Sequence, residues 1–130
     1  MNYILEAFSV GLYCGLLFIL LYPFLHNSLV LFFLLGFLKH FLAYFLSIHD
    51  YYCKKCLKNE NVKAKFEPVL YQSVLEGVYF MILGSIGFSF LHTYKALIIF
   101  FFFVGFITHI ICEWLGIHNF FCRVNCSVKK

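Results

Sequence analysis

Four apolar runs, each long enough to cross a lipid bilayer, constrain this chain more than any other feature. About 20 residues at 1.5 Å rise per residue span a hydrocarbon core of roughly 30 Å. Runs of that length lie at about 3–22, 28–48, 70–91 and 96–117. Short turns separate the first two (Pro23 to Asn27) and the last two (His92 to Lys95). The stretch from Asp50 to Pro68, containing CKKCLKNENVKAKFEP, is the one clearly aqueous segment. The first run has no basic segment before it and no small-residue cleavage site after it, so it reads as a span and not as a signal peptide. Composition agrees. Of 130 residues, 63% are hydrophobic and only 12% charged, which leaves too little polar surface to cover a water-soluble domain of this size. The expected fold class is therefore an all-α integral membrane protein of four transmembrane helices, with the lipid bilayer as its first partner.

Four spans place both termini and the 50–68 segment on one side. That side carries Lys54, Lys55, Lys58, Lys63, Lys65, Arg123, Lys129 and Lys130, against Lys95 alone in the opposite turns; Lys39 lies within a span. The positive-inside rule then makes both termini cytoplasmic. The net charge of +4 describes a membrane-flanking face. It does not describe a nucleic-acid groove, which needs basic and stacking side chains outside the bilayer.

The second and fourth runs resemble each other residue by residue. GFLKHFLAYFLSIHDYYC at 36–53 aligns without a gap on GFITHIICEWLGIHNFFC at 105–122. His40 and His109, His49 and His118, and Cys53 and Cys122 are identical pairs, as are Gly36 and Gly105. ILEA at 4–7 likewise matches VLEG at 74–77 and pairs Glu6 with Glu76. Shared hydrophobicity matches Leu and Phe by chance, but not Glu, His, His and Cys in one order. The expected organisation is a tandem repeat of a two-helix hairpin: a first unit at 1–53, a basic cytoplasmic loop at 54–69, and a second unit with a short basic tail at 70–130. Two units entering the membrane in the same direction suit a pseudo-twofold bundle. Gly11, Gly15, Gly84, Gly87 and Gly105 are the candidates for close helix contacts.

An ionisable side chain within a span needs a partner or a purpose. Counted from the turn centres, each Glu falls at the depth of the His in its own unit, to within roughly one helical turn. Glu6, His40, Glu76 and His109 are thus expected in one polar layer, with Glu113 one turn beyond His109. Such a layer suits buried Glu–His pairs, a divalent metal such as zinc, iron or manganese, or a proton or ion path. Haem bound by His40 and His109 is disfavoured by the flanking carboxylates. Along one continuous helix His49 would point away from His40.

Cys53 and Cys56 form CKKC after the second run, and Cys122 and Cys126 form CRVNC after the fourth. With His49 and His118 they form a Cys/His cluster on the expected cytoplasmic face, with the ligand count of a structural zinc site. In a reducing compartment the thiols stay free or bind metal; in an oxidising one, two disulfides can staple the helix ends. Cys14 and Cys112 lie within spans and read as packing residues.

No nucleophile with its base and oxyanion donor, phosphate loop or nucleotide fingerprint occurs. The leading expectation is a non-enzymatic protein that organises a membrane, alone as a homo-oligomer or with other membrane proteins. The heavy use of Phe, Lys, Asn, Ile and Tyr fits an AT-rich genome and with it a viral or virus-modified membrane. Four helices with a CxxC at a membrane boundary also resemble the architecture of the disulfide-bond-forming quinone reductases and the vitamin K epoxide reductases. That resemblance implies a membrane thiol–disulfide oxidoreductase. Those families use non-equivalent Cys pairs in distinct roles, however, whereas here both pairs occupy repeat-equivalent helix ends. A metal-ion or proton transporter using the Glu/His layer is the further alternative.

Overall fold

The computed structural model describes residues 2–128; Lys129 and Lys130, counted above on the basic face, lie outside them. Four long helices dominate: α1 (Tyr3–Leu21), α2 (Ser28–Phe45), α4 (Phe66–Phe90) and α5 (Tyr94–Trp114). All four are long and apolar enough to cross a membrane. Side-chain caps set three of their starts. Asn2 accepts a hydrogen bond from the Ile4 amide, Asn27 from the Leu29 and Val30 amides, and Thr93 from the Ala96 amide. Each cap satisfies backbone donors that a helix start otherwise leaves bare, a necessity where little water is near. Pro68 falls in the first turn of α4, where its missing N–H breaks no helical bond.

The second and fourth apolar runs do not continue as far as their hydropathy suggests. Both break, and a short helix follows each: α3 (Ile48–Leu57) after α2 and α6 (Ile117–Asn125) after α5. A left-handed residue makes each break, Ser47 at φ 58° and Gly116 at φ 69°. Gly116 adopts that conformation without steric cost, while Ser47 carries a Cβ into it. Much of the segment expected to be an aqueous loop is therefore structured. It contains α3 and a strand, β1 (Val62–Ala64), antiparallel to β2 (Cys126–Val128), with Val62 opposite Val128 and Ala64 opposite Cys126. The Asp50 carboxylate accepts a hydrogen bond from the Ala64 amide at 2.8 Å and ties α3 to β1. Together α3, α6 and the two strands form a cap over one end of the helix bundle.

Packing within the bundle joins helices from different hairpins, chiefly α1 with α5 and α2 with α4. One phenylalanine from each helix meets at the centre. Phe101 of α5 lies 5.1 Å from Phe18 of α1, 5.3 Å from Phe32 of α2 and 6.1 Å from Phe80 of α4, ring centre to ring centre. All four rings are buried. The outward faces are apolar too: Leu20 is 64% exposed, Ile99 57% and Ile82 54%. Exposed apolar faces on every long helix are what lipid-facing surfaces require and what a soluble monomer avoids.

Candidate functional site

The cap is held by its cysteines. One helical turn separates Cys53 from Cys56 on α3, and three residues separate Cys122 on α6 from Cys126 on β2. The pairing crosses between these elements. Cys53 bonds Cys126 with Cα atoms 5.6 Å apart, and Cys56 bonds Cys122 with Cα atoms 6.3 Å apart. Both separations lie within the ordinary disulfide range. The two bonds differ in their surroundings. Cys53 and Cys126 are buried with Val62 and Ala64 in a small core of the cap, whereas Cys56 is exposed beside a buried Cys122. Cys14 and Cys112 are unpaired, and Cys14 packs in the bundle core as expected.

His49 and His118 do not join the cysteines. The His49 ring contacts the His40 backbone carbonyl through Nε2 at 3.0 Å, and His118 Nδ1 meets a Glu113 carboxylate oxygen at 2.5 Å. Among the described residues, no group of three or more His, Cys, Asp or Glu side chains is arranged to hold a metal ion. With all four cap sulfurs in disulfides, the donor set does not fit the zinc site that ligand count alone suggested.

Within the spans, Glu6 and Glu76 each meet a histidine, and it is the one of the other hairpin and not the one expected at the same depth in their own. Glu76 of α4 pairs with His40 of α2, carboxylate to Nδ1 at 3.0 Å, and Glu6 of α1 faces His109 of α5 at 3.6 Å. Partners thus come from opposite hairpins, because α1 packs on α5 and α2 on α4. Each carboxylate also holds a lysine: Lys39 of α2 on Glu76, and Lys55 of α3 on Glu6. Neither lysine stood out as a site residue in the sequence. Lys39, a cation inside an apolar run, carried the signal, since such a charge demands a carboxylate. Lys55 gave none, because in the sequence it is one of many loop lysines.

The breaks at Ser47 and Gly116 fold each short helix back so that histidines meet. His40 and His49 lie 4.6 Å apart and His109 and His118 4.7 Å apart, ring centre to ring centre. His49 therefore lies against His40 and does not point away from it. His49 also stacks on Phe121 at 5.2 Å. Burial first, and then the neighbouring His40, push the His49 imidazole down to about 4, so it resists protonation. Burial and then the Glu6 carboxylate push the Tyr52 phenol up to about 12. The hydrogen bond to Glu6 holds the Lys55 ammonium above its ordinary range despite partial desolvation.

Under the cap, α1, α2, α3, α5 and α6 border a half-open cavity of about 640 Å³. Of the expected polar layer, Glu6, His40, His109 and Glu113 line it, as do His49, His118 and the Cys56–Cys122 disulfide. Glu76 does not. Three buried polar atoms have no hydrogen-bond partner among the described residues: Tyr13 Oη, His40 Nε2 and His109 Nε2. The 3.6 Å between His109 Nε2 and Glu6 is ion-pair range but too long for a hydrogen bond. All three residues line the cavity. Tyr13 had no sequence signal, being one of nine tyrosines in an aromatic-rich chain. No protein-family model, curated protein or solved structure matches the chain.

Proposed function

We propose that this chain is a small multi-pass membrane protein with a structural, membrane-organising role, built by tandem duplication of a two-helix unit. Its cap is the part that fixes how the two units dock. The crossed cysteine pairing carries this reading: Cys53 and Cys122 are equivalent in the alignment, and each bonds the second cysteine of the other unit. The exchange of Glu–His partners, Glu6 with His109 and Glu76 with His40, has the same crossed pattern. The breaks at Ser47 and Gly116 fall at aligned positions of the two units. A twofold-related pair of hairpins would produce all three. Disulfides that close 73 and 66 residues of sequence are long-range restraints, each expected to stabilise by about 2–4 kcal/mol.

The test is to trap thiols with N-ethylmaleimide during purification and map the peptides by mass spectrometry. Alkylation confined to Cys14 and Cys112, with linked Cys53–Cys126 and Cys56–Cys122 peptides, is the expected result. Alkylated cap cysteines in protein of native fold and undiminished thermal stability would remove the structural role.

A second reading, a membrane thiol–disulfide oxidoreductase, is favoured by one observation: the exposed Cys56 belongs to a disulfide that borders the cavity. A thiolate of a partner dithiol would attack Cys56 Sγ, breaking its bond and releasing Cys122 as thiolate. The partner's second thiolate would then attack the mixed disulfide. The partner leaves oxidised, and Cys56 and Cys122 keep the two electrons and two protons. Reduction of Cys56–Cys122 by a dithiol peptide, with the peptide recovered as its disulfide, supports this reading; inertness while the cap is intact removes it.

Orientation separates the two. Lysine bias puts the cap on the cytoplasmic face, where lasting disulfides are rare and those present are mostly transient and redox-active. A cap facing an oxidising lumen suits permanent staples. Impermeant labelling of Lys58 and Lys63 from either side of sealed vesicles distinguishes these cases. Transport through the Glu/His groups has less support, since a lysine already neutralises each of Glu6 and Glu76.

A further inference from the structure

We propose that the cavity beneath the cap is a binding site for a neutral amphiphile, a molecule with an apolar body and a hydroxyl or carbonyl head. The assignment does not depend on what the disulfides do. Its size comes first: about 640 Å³ falls within the range of small-molecule sites. The charge of the lining comes second. Lys55 is matched by Glu6, His118 is bonded to Glu113, and Lys39 is held by Glu76 just behind the wall. An anionic ligand would find both lysines already paired and leave its own charge uncompensated, which is costly where water is scarce.

The polar atoms without partners come third. Tyr13 Oη can donate and accept, and His40 Nε2 and His109 Nε2 can each do one or the other according to tautomer. His109 is only 7% exposed, so solvent does not satisfy it from outside. Buried polar atoms left bare cost free energy, and three of them on residues that line one cavity call for an occupant with hydrogen-bonding oxygens. The remaining wall, including Leu5, Val10, Ala43 and Phe121, suits an apolar body. Two sources share this chemistry: a neutral lipid such as a monoacylglycerol, and a free ring compound bearing a hydroxyl group.

The test uses the whole chain, disulfides intact, in phosphatidylcholine nanodiscs with ring-¹⁵N-labelled histidine. Monooctanoylglycerol and 4-octylphenol are titrated separately. The expected result is a saturable shift of the His40 and His109 resonances, while His26 and His92, in the turns at the far end of the bundle, stay still. Saturation with the glycerol lipid alone assigns a lipid source, and saturation with the phenol alone assigns a free ring compound. Tyr13→Phe should weaken binding about three- to tenfold, the loss of one hydrogen bond. Ala43→Phe should fill the space and abolish binding without melting the helices. The assignment is overturned if His40 and His109 do not respond to either probe, if all histidines move alike without saturation, or if both substitutions leave the affinity unchanged.

Discussion

Glu76 and Glu6 occupy matching places in the sequence, and each ends beside a histidine and a lysine, yet their surroundings differ. Glu76 receives Lys39 from the neighbouring span where α2 and α4 press together, and its carboxylate lies behind the cavity that Lys39 and His40 line. Glu6 receives Lys55 from outside the span, and its histidine stands off at 3.6 Å on the edge of an open volume. The position aligned with Lys39 is Thr108, which hydrogen-bonds Tyr79 at 3.1 Å and supplies no charge. A second difference reinforces the first. Helix α4 starts at Phe66 with two further turns that pack Phe66 on Phe41 and Tyr44 and join Gln72 to Asn125, whereas α1 is capped at Asn2. One closed site and one open site arise from the same Glu and His because their neighbours diverged. The closed carboxylate is set against packed helices behind the cavity wall, and the open one faces the cavity.

The largest contrast should appear on removing each carboxylate. Glu76→Leu strands the Lys39 ammonium, whose side chain is 13% exposed, and should destabilise by about 3–5 kcal/mol, the usual result of breaking a buried pair. Glu6→Leu frees Lys55, which is 42% exposed and can turn to water, and should cost about 1 kcal/mol. Denaturant titration of both variants in mixed micelles compares them. Equal losses would erase the distinction between the two sites.

A smaller contrast lies at the two aligned glycines of α2 and α5. A Cβ on Gly36 would sit 2.4 Å from the Glu76 backbone carbonyl, which cannot yield without moving α4. A Cβ on Gly105 would meet Cys14 Sγ at 2.6 Å and the Val10 carbonyl at 3.1 Å, so the worst clash there is with a side chain. Gly36→Ala should cost about 1–3 kcal/mol. Gly105→Ala should be recovered in large part by Cys14→Ala, a coupling that a double-mutant cycle measures. Failure of that rescue would put the α1–α5 contact in the same rigid class as α2–α4. Gly15, expected to mark a close contact, does not: a Cβ there would meet Ile98 at an ordinary 3.9 Å.

These contrasts also mark where the sequence could and could not be read. Span number and approximate ends followed from hydropathy, because length and apolarity are what the bilayer selects. The breaks at Ser47 and Gly116 were hidden, since LSIH and LGIH continue an apolar run, and a single left-handed residue leaves no hydropathy trace. Partner choice was hidden for a different reason. Counting residues from a turn gives the depth of Glu6 or Glu76 in its own hairpin, but says nothing of which hairpin's histidine lies across the interface. Four cysteines allow three pairings, and only the folded cap selects the crossed one. The cavity is lined from five helices brought together by the two breaks, a feature with no local pattern.

The finest test of the comparison concerns the histidine pair on the cap side of the closed site. His49 stacks on Phe121 and meets His40 edge to face, and burial holds its folded imidazole down to about 4 against an ordinary 6.5. Burial and the approach of His40 lower it, while the His40 carbonyl, Glu76 and Asp50 favour the proton and offset part of that shift. Between pH 6.5 and about 4 the unfolded chain therefore binds a proton at His49 that the folded chain refuses. Linkage then requires stability to fall as pH falls through that window, with a slope approaching 1.4 kcal/mol per pH unit from this residue. Above pH 6.5 the contribution is complete and flat. His49→Phe keeps a ring against Phe121 and His40 but cannot take up a proton, so its stability should fall less steeply between pH 6.5 and 5 than that of the parent. Parallel curves for the two proteins would show that the cap admits water to His49, and the closed half of the molecule would then be no tighter than the open one.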